Sequence, residues 1–479
     1  MSGFKPKISR RWQVLRQRQV QSLHDATLKL LSEEGVVFQS EAALEVLRKN
    51  GVRIEGKIAR FPAALIEKAI ENCPSEVILR ARNPERNVVL GHGNIHYTNC
   101  FGPVRVRRLG MTETVPATRE DLRHFTVLSD ALENVAYCLF HVRPCENPVD
   151  FNDIYSAATM LKITDKHIHF SQDSAASTDV LITLGEVAVN DAPNAEGPVF
   201  SLGGCSTSPL IYSEDVCTKF IKAVPRGIPF LVVSGAISGG TAPATLAGTL
   251  LVQNAEVLAG VALAQLLRPG APLIYGAFSG GMDMRSGNFV MGGTELALMQ
   301  AATAQLCDLY HIPFGYGSGG WTDARDPNVQ AGFEKGCTLL AAALAGVEVV
   351  HSAIGGMLGG AEIADYAQMI IDDELCSMVN RYLQGISFDA RSLAYDVIRE
   401  VGPGGNFLGN LHTAQSFRNE HFLPQILERV TGETKIEGII ASASERAQKI
   451  LDSHKPNYLS RSAAEKMDEL VDLAVRSQE

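Results

Sequence analysis

The chain has 479 residues, of which 46% are hydrophobic and 20% charged, and its formal net charge is −10. This balance is typical of a globular protein. The negative charge argues against a nucleic-acid partner, because phosphate contacts need concentrated Lys and Arg. No apolar run reaches about 18 residues without a glycine, proline or polar break, and the basic N-terminus lacks an apolar core. We therefore expect a cytoplasmic protein with no membrane partner, whose nine scattered cysteines are reduced.

Residues 1–92 have the pattern of an α+β addition that precedes the main body. Apolar spacing predicts amphipathic helices over residues 13–35 and Glu41–Lys49, and Pro62 is expected to begin a third helix. Short strand-like runs occupy residues 52–54, 58–61, 77–79 and 88–90.

Between residues 93 and 385, short apolar runs alternate with helical windows. The runs lie at residues 95–98, 135–140, 168–170, 199–202, 229–233, 273–277, 312–314 and 347–350. Eight strands, each followed by a helix, predict an α/β protein with a (β/α)8 TIM barrel. A doubly wound open sheet is the alternative, but it usually carries G-x-G-x-x-G after its first strand, where this chain has Asn99-Cys100-Phe101-Gly102. Residues 386–479 are expected to form a helical C-terminal extension packed on the barrel.

The C-terminal strand ends of such a barrel carry its chemistry, and here they are rich in glycine and aromatic residues and poor in charge. The most distinctive reads GYGSGGWTDARDPNVQAGFEK, residues 315–335, between the seventh strand and its helix. The aromatic candidates at the mouth are Tyr97, Phe101, Phe278, Tyr316 and Trp321. Aromatic faces attract a quaternary ammonium by about 0.5–2 kcal/mol each, so this mouth suits a cationic methylated amine.

Other chemistries find less support at the strand ends. A zinc site needs three or four converging ligands, and the candidates lie on different strands without ligand spacing: His141, His351, Cys100, Cys205 and Asp173. No strand end carries a lysine for a Schiff base, and the glycine pairs lack a nearby cation for phosphate. The pair His167 and His169 falls within one strand and is expected at wall or core positions.

Four longer motifs resemble the trimethylamine:corrinoid methyltransferase family. They are GYGSGGWTDARDPNVQAGFEK, Gly355-Gly356-Met357-Leu358, DYAQMIIDDEL (365–375) and GPGGNFLGNLHT (402–413), in that order. The resemblance covers most of the chain and implies a barrel that moves a methyl group from a methylated amine to the cobalt(I) of a corrinoid on a small separate protein. The trimethylamine enzymes of the family contain pyrrolysine at the mouth, whereas this chain has only ordinary residues. It therefore resembles the non-pyrrolysine branch, typified by glycine betaine:corrinoid methyltransferase, whose product is dimethylglycine.

The resemblance and the cation chemistry together predict glycine betaine as the methyl donor and cobalamin on a partner protein as the acceptor. A quaternary nitrogen leaves as a neutral amine and cobalt(I) is a strong nucleophile, so no catalytic group beyond positioning and no bound metal is expected. The predicted substrate-binding residues are Tyr97, Phe101, Phe278 and Trp321 around the ammonium, Asp323 as an added attraction or a helix cap, and His351 and Gly204 at the carboxylate. The corrinoid entrance is expected at Gly404, Gly405, Asn406 and His412.

Three alternatives remain open from the sequence. In the first, the donor is another carboxylated quaternary amine, such as proline betaine, carnitine or butyrobetaine. In the second, the barrel is a metal-dependent hydrolase or lyase, in which His141, Asp173 and His351 converge. In the third, the barrel binds betaine without catalysis. A homo-oligomer is also expected, with the N-terminal helices and the helices after residue 436 as candidate contacts.

Overall fold

Eight parallel strands form a closed barrel in a computed structural model that describes residues 11–146, 151–170, 174–192, 194–429 and 438–476. The strands are β1 His96–Thr98, β2 Val135–Leu139, β3 Ile168–His169, β4 Phe200–Cys205, β5 Phe230–Ser234, β6 Leu273–Ala277, β7 Phe314–Ser318 and β8 Val349–His351. They pair in chain order, and β8 closes on β1 with Val349 opposite His96. The predicted fold class is confirmed, including all eight strands.

A helix follows each barrel strand. The helices are α1 Arg119–Ala131, α2 Asn152–Ile163, α3 Thr178–Asn190, α4 Glu214–Ala223, α5 Leu246–Leu267, α6 Thr294–Tyr310, α7 Val329–Ala345 and α8 Tyr366–Gln384. By length and composition alone, α5 could cross a membrane, but 83% of its most apolar window is buried against the rest of the chain. Core helices of barrels pass the same test, so this is weak evidence for a membrane span.

The N-terminal addition packs against the helices of the barrel and extends its sheet to a segment of the barrel. Its helices are Gln17–Glu33, Glu41–Lys49 and Ala63–Asn72, and its sheet has the order Ile211–Tyr212, Val36–Phe38, Ile58–Arg60, Arg53–Glu55. The predicted helices and hairpin are confirmed, but the strand Val36–Phe38, which lies between the first two helices, was missed. This strand pairs with a segment that follows β4, which ties the addition to the barrel wall.

A second hairpin closes the N-terminal end of the barrel. Val77–Leu79 and Val88–Leu90 pair in antiparallel fashion, and their apolar side chains join a cluster with inward residues such as Leu231 and Ile274. The neighbouring N–H groups of Gly91 and Gly93 donate to Glu348, just before β8. The barrel is therefore plugged at this end and open only toward the C-terminal strand ends.

The loops at the C-terminal strand ends form an ordered rim. Those after β1 and β8 build a four-stranded sheet in the order Met357–Leu358, Ile363–Asp365, Arg105–Arg107, Val115–Pro116. Those after β5 and β6 pair at Ile237–Ser238 and Gly280–Gly281. Each of these loops is thus held by backbone hydrogen bonds to a neighbouring loop.

The described part of the C-terminal region is helical. Short 3-10 turns occur elsewhere in the chain. After α8 come Ala390–Leu393, Tyr395–Val401, Leu411–Glu420, Ile439–Ser453 and Arg461–Arg476, and the 3-10 turns are Pro84–Arg86, Ala175–Ser177 and Val224–Arg226. The last two α-helices lie against the barrel helices and bury Ala443, Ala447, Met467 and Val471.

A buried ion pair fixes the glycine-rich loops after β7 and β8. Lys335 Nζ in α7 lies 3.1 Å from Asp372 Oδ2 in α8, and each side chain is 1% exposed. Lys335 also donates to the carbonyl of Gly320 at 2.9 Å, and Asp372 accepts the N–H of Gly356 at 2.8 Å. Burial raises the pKa of the Asp372 carboxyl, and the charge of Lys335 opposes that rise. The pair therefore connects two helices and two mouth loops through one set of charges.

We predict that Lys335→Met lowers the free energy of unfolding by about 3–5 kcal/mol, because it leaves Asp372 buried without its counter-charge. Replacing Asp372 by Leu in the same chain should restore part of that loss. Urea unfolding measures both effects. Arg461→Met, in the exposed Arg461–Glu465 pair, is the control and should change stability little. A Lys335→Met variant as stable as this control would contradict the assignment.

Candidate active site

Side chains at the C-terminal ends of β4, β6 and β7 are accessible to solvent inside the rim, and the space that they face is here called the hollow. Cys205, at the end of β4, is accessible to solvent, yet burial raises the pKa of its thiol to about 12. The Cys205 side chain is thus in contact with solvent although protein atoms surround it, so it faces an internal space that is open to solvent. Phe278 and Tyr316 are also partly accessible at this level, and Tyr316 is near enough to Cys205 for the thiol's charge to affect its pKa. A small ligand could enter here.

Two aromatic rings and one imidazole form a wall of this hollow. The ring centroids of Tyr316 and Phe278 are 6.3 Å apart, and Tyr316 stacks on His351 at 3.7 Å. Gly276 makes room for this wall, because a Cβ there would lie 3.1 Å from Tyr316 Cβ and 2.7 Å from a methyl of Val233. Burial raises the pKa of Tyr316, so its phenol stays neutral. The wall offers faces without net charge.

A hydrogen-bond chain fixes the tautomer of His169, at the end of β3. The Arg80 carbonyl can only accept, so Nδ1 of His167 donates to it at 2.8 Å. Nε2 of His167 then accepts from the Ser201 hydroxyl at 2.9 Å, and the Ser201 oxygen accepts from Nδ1 of His169 at 3.0 Å. Burial lowers the pKa of His169 to about 3. Nε2 of His169 is therefore an unprotonated acceptor.

His351 carries a polar atom without a protein partner. Its Nδ1 lies 2.9 Å from Ser352 Oγ, but its Nε2 is buried and bonds to nothing in the part of the chain that the structure describes. The same holds for Oγ of Ser318, which pairs with His351 across β7 and β8 and so shares its inward face. Burial holds the pKa of His351 well below its ordinary value. Buried polar atoms normally find partners, so a partner for these two atoms has to come from a water molecule or from a ligand.

A second buried carboxylate supports the hollow from β4 and β5. Glu256 in α5 is fully buried and accepts hydroxyl hydrogens from Ser206 at 2.6 Å, Ser208 at 2.9 Å and Ser234 at 2.5 Å. It also accepts the N–H of Leu210 at 2.8 Å. These bonds satisfy the carboxylate and hold the loop after β4 against the end of β5.

Trp321 and Asp323 lie behind the aromatic wall. Trp321 is 4% exposed, donates Nε1–H to the His351 carbonyl at 2.9 Å and belongs to a buried cluster against which Phe278 packs. The two oxygens of Asp323 accept the N–H groups of Met291 and Gly292, each at 3.0 Å. Asp323 therefore ties the loop after β7 to the loop after β6. The helix-cap alternative for Asp323 is wrong, because Asn328 caps α7.

Two predicted binding residues face away from the hollow. Tyr97 donates its hydroxyl hydrogen to Asn380 in α8 at 2.8 Å, and a Cβ at Gly204 would meet Val216 of α4 at 2.7 Å. Side chains alternate along a strand, and both positions fall on the outward phase. The assignment of the Tyr97 ring to the substrate site is corrected on this ground, whereas the contact predicted for Gly204 uses its backbone N–H and stays a prediction.

Phe101 lies at the rim and makes a cation–π contact with Arg143. The guanidinium carbon of Arg143 is 4.9 Å from its ring centroid, so one face of Phe101 is already covered. The ring also packs against the inward cluster that includes Tyr316. Phe101 is near the hollow, with less open surface than the prediction assumed.

His141 and His351, two of the ligands predicted for the metal-dependent alternative, do not converge. Nε2 of His141 lies 2.9 Å from the Gly355 carbonyl, and its ring stacks on Phe125 of α1 at 4.1 Å. His141 thus faces the helix layer, while His351 faces inward. Asp173 lies outside the described residues, and within those that are described no three His, Cys, Asp or Glu side chains are grouped to hold a metal.

The predicted corrinoid-entrance residues do not lie on a mouth loop. Gly404, Gly405, Asn406 and His412 belong to the exposed segment after α8. That helix begins at the mouth and ends at the opposite end of the barrel, where Arg381 holds the Glu420 carbonyl at 2.6 Å. Both ends of the segment are therefore anchored away from the strand ends, and the prediction is corrected.

Sequence reasoning placed His169 at a wall or core position without a role at the site, and it did not single out Ser318 or Ser201. The two-residue spacing of His167 and His169 was visible, but a strand pattern alone does not tell the interior of a barrel from its helix layer. Ser318 stands in the glycine-rich stretch, where the sequence offers no reason to separate an inward serine from a turn serine.

Comparison with known proteins agrees with this architecture. The family model described as trimethylamine methyltransferase (MTTB) matches residues 4–478. The chain belongs to the trimethylamine methyltransferase family. The family resemblance predicted from the four motifs is thereby confirmed, and the chain is a member of a methyltransferase family.

Individual relatives are similar over nearly the whole chain. A glycine betaine methyltransferase from Desulfitobacterium hafniense (strain Y51) is 34% identical over 455 residues, which are 94% of each chain. A trimethylamine methyltransferase from Methanosarcina barkeri is 32% identical over 95% of this chain and 94% of its own. The crystal structure of the Methanosarcina barkeri monomethylamine methyltransferase superposes with a TM-score of 0.53 at 12% identity, over 94% of this chain and 90% of that one. This last likeness shows a shared fold.

We predict that the protein loses stability as the pH falls below about 6.5, in part because its buried histidines stay neutral. Burial lowers the pKa of His169 and His141 to about 3 and that of His167 to about 4. Between these values and about 6.5 only the unfolded chain binds the protons, which costs about 1.4 kcal/mol per pH unit for each histidine. Above pH 6.5 these histidines are neutral in both the folded and the unfolded chain, and the cost is absent.

Urea unfolding at pH 7.5 and 5.5 measures this loss, and His169→Gln should reduce it because glutamine does not titrate. His92→Gln, at an exposed histidine, is the control and should leave the difference unchanged. Equal pH dependence in the wild type and His169→Gln would show that His169 is not held neutral.

Proposed function

We propose that this chain transfers a methyl group from a carboxylated quaternary amine, with glycine betaine as the preferred donor, to the cobalt(I) of a corrinoid carried on a separate protein. Dimethylglycine is the second product. The observation that carries the proposal is the hollow walled by Tyr316 and Phe278, whose histidines are neutral. The 34% identity with a glycine betaine methyltransferase supports the choice of donor.

The reaction needs no proton transfer. The bond between the methyl carbon and nitrogen breaks, and its electron pair stays on nitrogen, which becomes a neutral tertiary amine. The new bond to cobalt uses the electron pair of the reduced metal. The chain contributes orientation and a site from which water is excluded, and the rim of paired loops suits an approach from outside the barrel.

Tyr316 and Phe278 are the proposed faces for the trimethylammonium group. Each ring contributes about 0.5–2 kcal/mol of cation–π attraction, toward the upper end where water is excluded. The neutral state of His169 and His351 favours this binding, because a protonated imidazole would repel the positively charged ammonium group. The lone pair on Nε2 of His169 is compatible with the positive methyl groups.

His351 and Ser318 are the proposed partners of the substrate carboxylate. If the Ser352 hydroxyl donates to Nδ1 of His351, then Nε2 carries the proton and donates to the carboxylate. Ser318 Oγ is a second donor on the same face. This arrangement favours a betaine over trimethylamine, which has no carboxylate and would leave both donors buried without partners.

The function is tested with purified protein, chemically reduced cobalamin and a panel of amines. The visible spectrum should change to that of methylcobalamin with glycine betaine and remain unchanged with trimethylamine. Proline betaine, carnitine and butyrobetaine show how much chain length the hollow accepts. No spectral change with any quaternary amine would overturn the proposal.

We expect Tyr316→Ala and Phe278→Ala each to raise the dissociation constant of glycine betaine about tenfold, the equivalent of one lost cation–π face. Isothermal titration calorimetry measures the constant. Tyr97→Phe is the matched control, because that ring lies on the outward side of β1. An equal effect in the control, or none in the other two, would reject these faces.

We expect His351→Ala to weaken glycine betaine binding at least tenfold and to change tetramethylammonium binding much less, because only betaine has a carboxylate. The ratio of the two dissociation constants isolates the carboxylate contact from any general damage to the wall. Equal losses for the two ligands would show that His351 does not recognise the carboxylate.

A further inference from the structure

One buried charge beside the hollow has no part in the proposed reaction. Glu256 in α5 is fully buried, and its carboxylate accepts three serine hydroxyls and the N–H of Leu210. These neutral donors satisfy the oxygens but leave the negative charge in place. Within the described residues, no Lys, Arg or His forms an ion pair with Glu256. A buried charge without a counter-charge is costly, so a cation bound nearby would stabilise it.

Ser234, at the end of β5, links Glu256 to the aromatic wall of the hollow. Its hydroxyl donates to Oε2 of Glu256 at 2.5 Å, and its carbonyl accepts the N–H of Phe278 at 3.1 Å. The next residue, Gly235, lies directly against the Phe278 ring, because a Cβ there would overlap two ring carbons. The carboxylate is therefore within roughly 10 Å of the Phe278 backbone, with the end of β5 between them.

The charge of Glu256 also acts on a side chain that faces the hollow. Ser206, whose hydroxyl donates to Glu256 at 2.6 Å, directly follows Cys205 in the chain. Burial raises the pKa of the Cys205 thiol, and the negative charge of Glu256 raises this pKa further. The positive charge of Lys219 in α4 lowers the same pKa by a smaller amount. The balance of these two charges at the β4 side of the hollow is negative, which attracts a cation.

The position of Glu256 favours one orientation of a zwitterion in the hollow. The strands pair in chain order around a closed barrel, so the ends of β4 and β5 lie across from those of β8 and β1. His351 and Ser318, the proposed partners of the carboxylate, lie on β8 and β7. A negative charge behind β4 and β5 therefore draws the ammonium toward Phe278 and leaves the carboxylate at His351.

We propose that Glu256 is the counter-charge of the substrate's ammonium group, and that it makes the hollow select a cation over a neutral group of the same shape. The inference rests on the proposed function, because it takes the hollow to be the site of a quaternary amine. Glu256 does not touch the substrate and acts through its electric field across β5. At roughly 10 Å and an effective dielectric constant of about 20, one charge changes the dissociation constant of a cation about tenfold.

Two ligands of the same shape and different charge test the inference. Glycine betaine carries a trimethylammonium group, and the anion of tert-butylacetic acid carries a neutral tert-butyl group in its place, beside the same carboxylate. Isothermal titration calorimetry gives both dissociation constants. Glu256→Gln should weaken betaine binding about tenfold and leave the neutral analogue bound at least as tightly as in the wild type. Damage to the structure alone would weaken both ligands equally. Glu256→Asp keeps the charge and should restore the wild-type ratio of the two constants.

Glu348→Gln provides the comparison for loss of a buried carboxylate elsewhere. Glu348 accepts two backbone N–H groups at the plugged end of the barrel, so this variant should keep the wild-type ratio. If Glu256→Gln fails to fold, the triple variant Glu256→Met, Ser206→Ala, Ser234→Ala removes the charge together with two of its donors, which leaves fewer buried hydroxyls without an acceptor. The same change in ratio is expected.

A wild-type ratio in the variant that lacks the charge would overturn the inference, as would an equal change in Glu348→Gln. Wild-type protein that does not bind betaine would overturn the proposed function and the inference together. Betaine binding and methyl transfer with an unchanged ratio would overturn the inference alone.

Discussion

The ion pair between Lys335 and Asp372 is the constraint on which the mouth of the barrel depends. Both charges are removed from water, which is costly unless each is fully paired and hydrogen-bonded. The protein meets this condition with groups of the mouth itself, the Gly320 carbonyl and the Gly356 N–H. The two glycine-rich loops are therefore not free to move independently of α7 and α8, although their glycines alone would make them flexible.

The fixed loop after β7 also positions the residues of the proposed substrate site, through contacts made by Trp321 and Asp323. Trp321 follows Gly320 directly, donates to the His351 carbonyl and packs near Phe278. Asp323 then holds the loop after β6 through two backbone N–H groups. Loop position, ring position and the orientation of His351 are thus linked. On the proposed function the site works by orientation, and such a site needs this support more than one that relies on reactive groups.

The sequence was sufficient for the fold and for part of the site. Eight strand–helix alternations set the barrel, and the stretch from Gly315 to Lys335 was identified as a mouth loop. The strand-end rule also selected Phe278 and His351, which do lie at the hollow. It failed at Tyr97, because the inward or outward phase of a barrel strand depends on its register, which a short apolar run does not reveal.

Other misses have different physical causes. Lys335 and Asp372 are far apart in the chain, and only the packing of α7 on α8 makes them partners. Gly404 to His412 was assigned to the mouth by motif alone, whereas the length of α8 carries the chain to the other end of the barrel. The role of Asp323 was open between attraction and capping, and its contact with a neighbouring loop was not foreseeable from local sequence.

A crystal structure of the protein with glycine betaine tests the central claim most directly. The trimethylammonium group should lie within about 6 Å of the ring centroids of Tyr316 and Phe278, and a carboxylate oxygen should lie within hydrogen-bond distance of Nε2 of His351. Betaine bound in the opposite orientation, or bound only outside the hollow, would contradict the account.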